Sequence, residues 1–393
     1  MSDKHAHRSG EDRPRHIPLT PPLGGMAGAS EHPEVKSFQE PHIRESTLRP
    51  SRRDRVTLST PVCALLGCDY PIILAGMGGV SRSELVTAVT RAGGFGFLGM
   101  VREPAALIRQ EVEAVRRCTT RPFGVNLIPA ATEPALLEQE LAACIELGVS
   151  AVALFWDLSR ETVARLRQAG ILVVCQVGSA DEAREAVSAG AQILIAQGVE
   201  AGGHVRGTTP LHELLQQIIP MSPVPVLAAG GLVDGRDLVD VLHAGAQGAV
   251  LGTAFLASPE SFAHYYHKKR VVDGHAGDTL ITETFHINWP MGAPVRVLRN
   301  SVTRGERGTP STAEPTIIGS EMGRPIYLFS TDSPLRSMTG DFEAMALYAG
   351  CGIDRIRTLT PAGTRLAAIM AEAAHILFDE RTEQIAQAGR EKS

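Results

Sequence analysis

The sequence predicts an α/β protein folded as a (β/α)8 TIM barrel, with a smaller inserted substrate or lid subdomain and a disordered N-terminal tail. Three observations predict it. Eight short apolar runs recur at spacings of about 20 to 30 residues, amphipathic stretches separate them, and several of those stretches close on a glycine. The runs are PIILA (71–75), GFGFLG (94–99), FGVNLI (123–128), VSAVALFW (149–156), ILVVCQV (171–177), AQILIAQG (191–198), VPVLAAGG (224–231) and GAVLGTAF (248–255). Continuous apolar runs that alternate with helices suit parallel strands covered on both faces. The stretches between them end in RAGG (91–94), ELGV (146–149), QAGI (168–171), SAGA (188–191) and HAGA (243–246). A glycine there lets a helix stop in the left-handed conformation without a Cβ clash. Eight such units fit closure into a barrel better than an open doubly wound sheet.

The flanking segments read differently. Residues 1–55 are rich in Pro, His, Arg, Ser and Glu and have little apolar periodicity, so they cannot offset their ordering entropy and are expected to be disordered. The barrel is expected over 56–258. After Phe255 the repeat breaks, and 259–325, with Tyr265, Tyr266, His286 and Trp289, reads as the inserted subdomain. Residues 326–380 then return to the barrel, an amphipathic segment over about 341–378 supplying the closing outer helix.

Bulk composition excludes several function classes. At 393 residues, 44% hydrophobic and 21% charged, the chain has ample material for a large core. Its 38 basic and 43 acidic residues are intermixed, leaving a net charge of −5 and no basic stripe for nucleic acid. No run approaches the roughly 20 apolar residues that span a bilayer, and the N-terminus lacks a signal-like apolar core, so a soluble, cytoplasmic protein is expected. A homo-oligomer is compatible with this surface. The six cysteines lack C-x-x-C spacing and read as reduced and mostly buried, and no clustered metal ligands are expected.

In such barrels the chemistry sits on the loops after the strands, and the loops after the seventh and eighth strands often hold a phosphate. Here Gly230 and Gly231 follow the seventh run and lead into LVDGRDLVDVL, whose helix N-terminus is expected to face an anion. The eighth run ends in Gly252 and Thr253, an added amide and hydroxyl. After the sixth run, Gly202 and Gly203 allow close approach to a flat ligand, and His204 follows them at the mouth as a group able to move a proton near neutral pH. Asn126 and Gln197, at strand ends, either face a heteroaromatic ring or satisfy nearby backbone groups. Met77, in AGMGGVS (75–81), either pads a planar cofactor or fills core space. The set from His264 to Lys269 reads as an exposed helix, and His286 and Trp289 as the packed core of a lid.

Together PIILAGMGG, FGVN, AQGVEAGGH, AAGG and LGTAF, in this order, resemble the nitronate monooxygenases, FMN-dependent barrel enzymes once called 2-nitropropane dioxygenases. The resemblance covers about residues 60–375, and EAGGH is its most specific element. It implies that the backbone at Ala75, Gly76 and Met77, with Asn126, Gln197 and Gly202, contacts the flavin. Gly231 with Val250, Leu251, Gly252 and Thr253 would hold its phosphate. His204 matches the family's catalytic histidine. The chemistry implied is oxidation of an alkyl nitronate or nitroalkane by O2 to a carbonyl compound and nitrite. The chain departs from the family pattern at Gly76, Val250 and Cys351. Two other readings keep the barrel: a flavin-dependent NAD(P)H:quinone or enoyl-thioester reductase, and a non-catalytic flavin-binding barrel.

Overall fold

The computed structural model describes residues 58–156, 158–290, 292–309 and 315–390; the disordered tail expected over 1–55 lies outside them. Eight parallel strands close on themselves in the order β1 (Ile72–Leu74), β2 (Phe95–Gly99), β3 (Gly124–Leu127), β4 (Ala151–Phe155), β5 (Leu172–Val177), β6 (Ile193–Gln197), β8 (Val226–Ala229) and β9 (Ala249–Leu251). Closure is direct, with Ile72, Ile73 and Leu74 paired to Ala249, Val250 and Leu251. All eight expected runs are barrel strands. The remaining short strand in this span, β7 (Gly203–His204), lies outside the barrel.

The helices are α1 (Pro61–Leu66), α2 (Ser83–Arg91), α3 (Ala105–Cys118), α4 (Pro134–Leu147), α5 (Arg160–Gln168), α6 (Ala180–Ala189), α7 (Leu211–Ile218) and α8 (Gly235–His243). The five expected stop glycines, Gly93, Gly148, Gly170, Gly190 and Gly245, have φ of +98, +56, +76, +109 and +95°, which is why glycine stands there. The barrel interior is filled by Ile73, Phe95, Phe97, Ala151, Ala153, Val174, Ile193, Ile195, Leu227, Ala229 and Val250. Phe95 and Phe97 meet edge to face at 5.1 Å. Val62, Cys63 and Leu66 of α1 join this cluster from below, so the floor is plugged and only the opposite mouth can admit a ligand. Truncating Phe97 to Ala would cost about 3–5 kcal/mol, the usual cavity cost for a fully buried ring.

Beyond β9 come the short helix α9 (Thr253–Leu256) and α10 (Tyr265–Asp273), then β10 (Thr279–Thr282), β11 (Val295–Leu298), β12 (Ile317–Glu321), β13 (Arg324–Tyr327) and β14 (Met338–Gly340). Two three-stranded antiparallel sheets result, β10-β11-β7 and β13-β12-β14. A small core of Phe285, Val295, Val297, Val302, Phe329, Ala344 and Ala346 lies within them.

Three expectations are corrected. The closing helix, α11, spans Ala362–Arg390 rather than starting near 341, because Gly350, Gly352 and Pro361 interrupt the chain before it. Ala362, Leu366, Ile369, Met370 and Ala373 form its buried stripe. The His264–Lys269 set is not an exposed surface: His267 is fully buried, and buried Lys268 donates to the carbonyls of Pro259 and Ser261. Of the six free cysteines only Cys63, Cys144 and Cys175 are buried. Burial pushes the Cys144 and Cys175 thiols up to about 12, the range of inert structural thiols. Among the described residues no helix is long and apolar enough to cross a membrane.

Candidate active site

His204 is held at the mouth by backbone pairing. The two residues of β7 pair antiparallel with β11, His204 opposite Val295 and Gly203 opposite Arg296. The Gln197 side chain, at the end of β6, donates to the His204 carbonyl at 2.9 Å and accepts from the Arg206 amide at 3.3 Å. Of its two readings, backbone satisfaction is therefore the one the contacts give. Asn126 likewise donates from Nδ2 to the Ala153 carbonyl at 3.3 Å.

The β10–β11 connection carries Trp289 onto the imidazole. The two rings stack at 3.3 Å between centroids and 25° between planes, and Tyr348 lies 5.5 Å away. Behind Trp289 stands Trp156, edge on at 5.7 Å, then Phe155 at 5.4 Å. Ile128 and Ala293 complete this aromatic wall. A cleft of about 310 Å3 opens beside it, with Phe155, Trp156, Cys175, Gln176, Glu182 and Arg206 in its lining. His286, four residues after the end of β10, bonds the Thr284 carbonyl through Nδ1 at 3.0 Å.

Electrostatics at the mouth are set by burial and one guanidinium. Burial, and then the positive charge of Arg102, hold the His204 pKa well below the usual 6.5, so the ring is neutral at pH 7. Burial also raises the Tyr348 phenol far above its ordinary range. Three buried nitrogens here have no partner among the described residues: His204 Nε2, Trp289 Nε1 and Arg102 Nε. Such orphans cost about 1–3 kcal/mol each unless a ligand meets them. Strain gathers at the same place. Of the five described non-glycine residues at positive φ, Arg102 (60°), Trp156 (64°) and Asn288 (69°) lie around Trp289 at this mouth.

The glycine-rich residues form two connected groups. In the first, a Cβ placed on Gly252 would lie 3.6 Å from Met77 Sδ and 3.7 Å from Ala75 Cβ, and one on Gly76 would overlap Asn126. Val250 and Leu251, on β9, are buried beneath them. In the second, Gly230 (φ +124°) packs on Gly198 and Ala201, Gly231 (φ +70°) on Glu200, and Gly203 (φ +83°) faces open space. The stretch from Ala349 to Gly352 joins the groups. Gly202 sits against the Ala349–Gly350 peptide, the Gly350 amide donates to Thr253 Oγ1 at 3.0 Å, and the Cys351 amide donates to the Glu200 carbonyl.

The α8 N-terminus, expected to face an anion, is capped within the protein. Asp234 caps it in a capping box with Asp237, Glu372 accepts from the Gly235 amide, and Arg355 pairs with both aspartates. The amides of Val233, Asp234, Gly235 and Asp237 are thus already used. By contrast α9 has Gly252 as its N-cap and no side-chain cap.

Residues 59–372 match the nitronate monooxygenase family model. The chain belongs to the nitronate monooxygenase family. As a member of that family it is an oxidoreductase. It is 32% identical over 247 residues, 62% of this chain and 67% of the other, to a (3aS,4S,5R,7aS)-5-hydroxy-7a-methyl-1-oxo-octahydro-1H-indene-4-carboxyl-CoA dehydrogenase of Mycobacterium tuberculosis. Among solved structures it is similar to FabK from Thermotoga maritima, with TM-score 0.71 and 29% identity over 82% of this chain and 99% of that one. It is also similar to a nitroalkane oxidase from Streptomyces ansochromogenes, with TM-score 0.65 and 32% identity over 80% of this chain and 98% of the other.

Within this nitronate monooxygenase family site, four residues were not read from the sequence in their observed places. Trp289 was assigned to lid packing, whereas it covers the imidazole face. Arg102 and Tyr348 carry no local motif, since only the closed fold brings the loop after β2 and the segment before α11 to His204. Gly350 had a faint signal, the Gly-x-Gly pair of residues 350–352.

Proposed function

We propose that the chain is an FMN-dependent monooxygenase that oxidises alkyl nitronates or nitroalkanes with O2 to carbonyl compounds and nitrite, His204 acting as base. One observation carries the reading: a neutral, buried imidazole at the barrel mouth whose Nε2 has no partner among the described residues. The family match and the nitroalkane oxidase neighbour support the substrate class. In this reading 56–258 form the cofactor-binding barrel, 259–325 the substrate lid and 326–380 the return to the barrel, in a cytoplasmic enzyme.

The residues fit FMN. Gly203 faces open space that a Cβ would enter, and a Cβ on Gly252 would rest directly on Met77 and Ala75, so both glycines leave a bare backbone surface. Ala75, Gly76, Met77, Asn126, Gln197, Gly202 and Gly203 would border the ring. Gly230, Gly231 and Val250 to Thr253 would hold the phosphate through main-chain amides and the Thr253 hydroxyl. When bound, FMN supplies the one-electron acceptor and the site of reaction with O2. The protein's own work is proton handling and exclusion of water. A nitroalkane's α-proton passes to His204 Nε2 while the C–H electron pair moves into the nitro group, leaving a nitronate. Trp289, stacked on the imidazole, keeps water from its face and fixes its plane. A positioned base of this kind is worth about 10²–10⁴-fold.

The test is nitrite release by the purified flavoprotein given preformed nitronate or parent nitroalkane, in parallel with His204→Asn. Wild-type turnover and a loss of at least about a hundredfold in the variant on the nitroalkane are expected. No nitrite from either substrate refutes the assignment. A second reading, reduction at a thioester substrate, is favoured by the CoA-ester dehydrogenase relative. Anaerobic bleaching of the flavin by NADH or NADPH, without nitrite production, would select it.

A further inference from the structure

The mouth holds more donor capacity than proton abstraction requires. Arg102 lies on the loop after β2, in the left-handed conformation at φ 60°, which turns its side chain toward the insertion. Its Nη1 donates to the Asn288 carbonyl at 3.1 Å, fixing the guanidinium beside Trp289, while its buried Nε has no partner among the described residues. Trp289 Nε1, equally buried, is a second unmet donor. A third polar atom, His204 Nε2, belongs to the ring stacked on that same indole.

Among the described residues no carboxylate is ion-paired with Arg102. Glu140, a carboxyl under this loop, accepts from the Glu103 amide at 3.0 Å and is fully buried. Burial pushes it up to about 8, so at pH 7 it is mostly uncharged. The neighbouring Glu103 is paired to Arg82 at 2.7 Å. The Arg102 Nε and the indole N–H are therefore left without a partner among the described residues, and what satisfies both is a planar anion with two oxygens.

We infer that Arg102 and the Trp289 indole N–H form an oxyanion pocket beside His204 that recognises substrate as the planar nitronate. The inference rests on the proposed nitronate reading and gives it a substrate form. Arg102 holds the nitro-group oxygens of a nitronate that binds ready-made. With a neutral nitroalkane the same contact strengthens only as the proton leaves. Arg102 is thus a specificity residue for one substrate form and a rate residue for the other.

The two forms separate the effects. For holoenzyme carrying Arg102→Gln, KM for preformed nitronate rises by about ten- to a hundredfold, the usual effect of losing a hydrogen bond to a charged group. With the parent nitroalkane KM moves less than about threefold while kcat falls. Acetate, a planar two-oxygen anion, competes with nitronate in wild type and loses potency by a similar factor in the variant. Arg102→Lys keeps the charge without the two-donor fork, so it lies between the two and guards against misfolding of the Gln variant. Equal KM changes on both substrate forms, or unchanged acetate inhibition, overturn the pocket. The chain's two tryptophans, Trp156 and Trp289, both lie at this site, so their fluorescence reads acetate binding without any turnover. Should wild type make no nitrite, the functional reading falls, and this titration alone judges the pocket. Weaker acetate binding in Arg102→Gln supports it and unchanged binding overturns it.

Discussion

Replacing Glu140 by Gln should stabilise the protein increasingly as pH rises. Glu140 is on α4, whose sequence PALLEQELAACIEL buries it alongside Leu141, Ala143 and Cys144. Its Oε1 accepts from the Glu103 amide, its Oε2 has no partner among the described residues, and burial moves its pKa from 4.5 to about 8. The native state thus keeps a proton that the unfolded chain has released. The associated stability is complete below about pH 4.5 and is lost as pH climbs toward 8. At 1.36 kcal/mol per pH unit, with the slope halving near the folded pKa, the loss between pH 6 and pH 8 is about 2 kcal/mol. A glutamine keeps the acceptor for the Glu103 amide and has nothing to titrate. Denaturant unfolding at both pH values, for both proteins, reads the effect. The stability gap between Glu140→Gln and wild type should widen by about 2 kcal/mol in the variant's favour. The pH difference matters more than either absolute gap, because a glutamine's own packing cancels from it. Parallel pH profiles would refute a buried, proton-carrying carboxyl under the Arg102 loop.

Three further outcomes are expected. On neutral nitroalkanes the acid limb of the pH–rate profile should fall below 6.5, since His204 must be unprotonated and its pKa is depressed by burial and by Arg102; a limb above 6.5 contradicts this. Trp289→Leu should admit water to the imidazole and move that limb upward toward 6.5, with kcat reduced, whereas an unmoved limb would mean the stacked indole does not desolvate the ring. His267 is fully buried, with its pKa lowered by burial to about 4 and its Nε2 on the Tyr348 carbonyl. The unfolded chain therefore takes up the proton first as pH falls, and about 2 kcal/mol should be lost between pH 7 and pH 5. His267→Gln, which retains an amide donor for that carbonyl, should remove this loss in unfolding measurements at the two pH values.

Local chemistry explains why the barrel was readable. Each βα unit carries its own signals, an apolar run and a helix-stopping glycine such as Gly148 or Gly190, and neither depends on distant chain. The histidine was readable for the same reason, because EAGGH is contiguous. What failed depended on long-range packing. The turn after β8 has the glycines of a phosphate loop, yet Glu372 and Arg355, more than a hundred residues away, occupy the helix end behind it. Lys268 looked solvent-exposed beside Tyr265, but Pro259 and Ser261 turn their carbonyls onto it. Trp289 was visible as an aromatic in an insertion. Only the β7–β11 pairing puts it over His204.

Backbone strain gathers at the same mouth. Arg102, Trp156 and Asn288 each adopt a backbone conformation that costs about 1 kcal/mol or more outside glycine. Nothing in the barrel strands demands it, since the loops after β2 and β4 could turn more cheaply with glycine. What these conformations do is deliver specific side chains: a guanidinium, an indole wall and the carbonyl that anchors the guanidinium. Their cost is borne by the rigid parts that meet here, the closed barrel on one side and the sheet carrying β11 on the other. Relaxing one position, for example Arg102→Gly, would therefore be expected to help the backbone while removing the charge beside His204. A stabilised but slower enzyme is what that substitution should give, measured as a raised unfolding midpoint together with a reduced kcat/KM on preformed nitronate. Loss of stability with unchanged kcat/KM would mean that the left-handed turn serves packing alone.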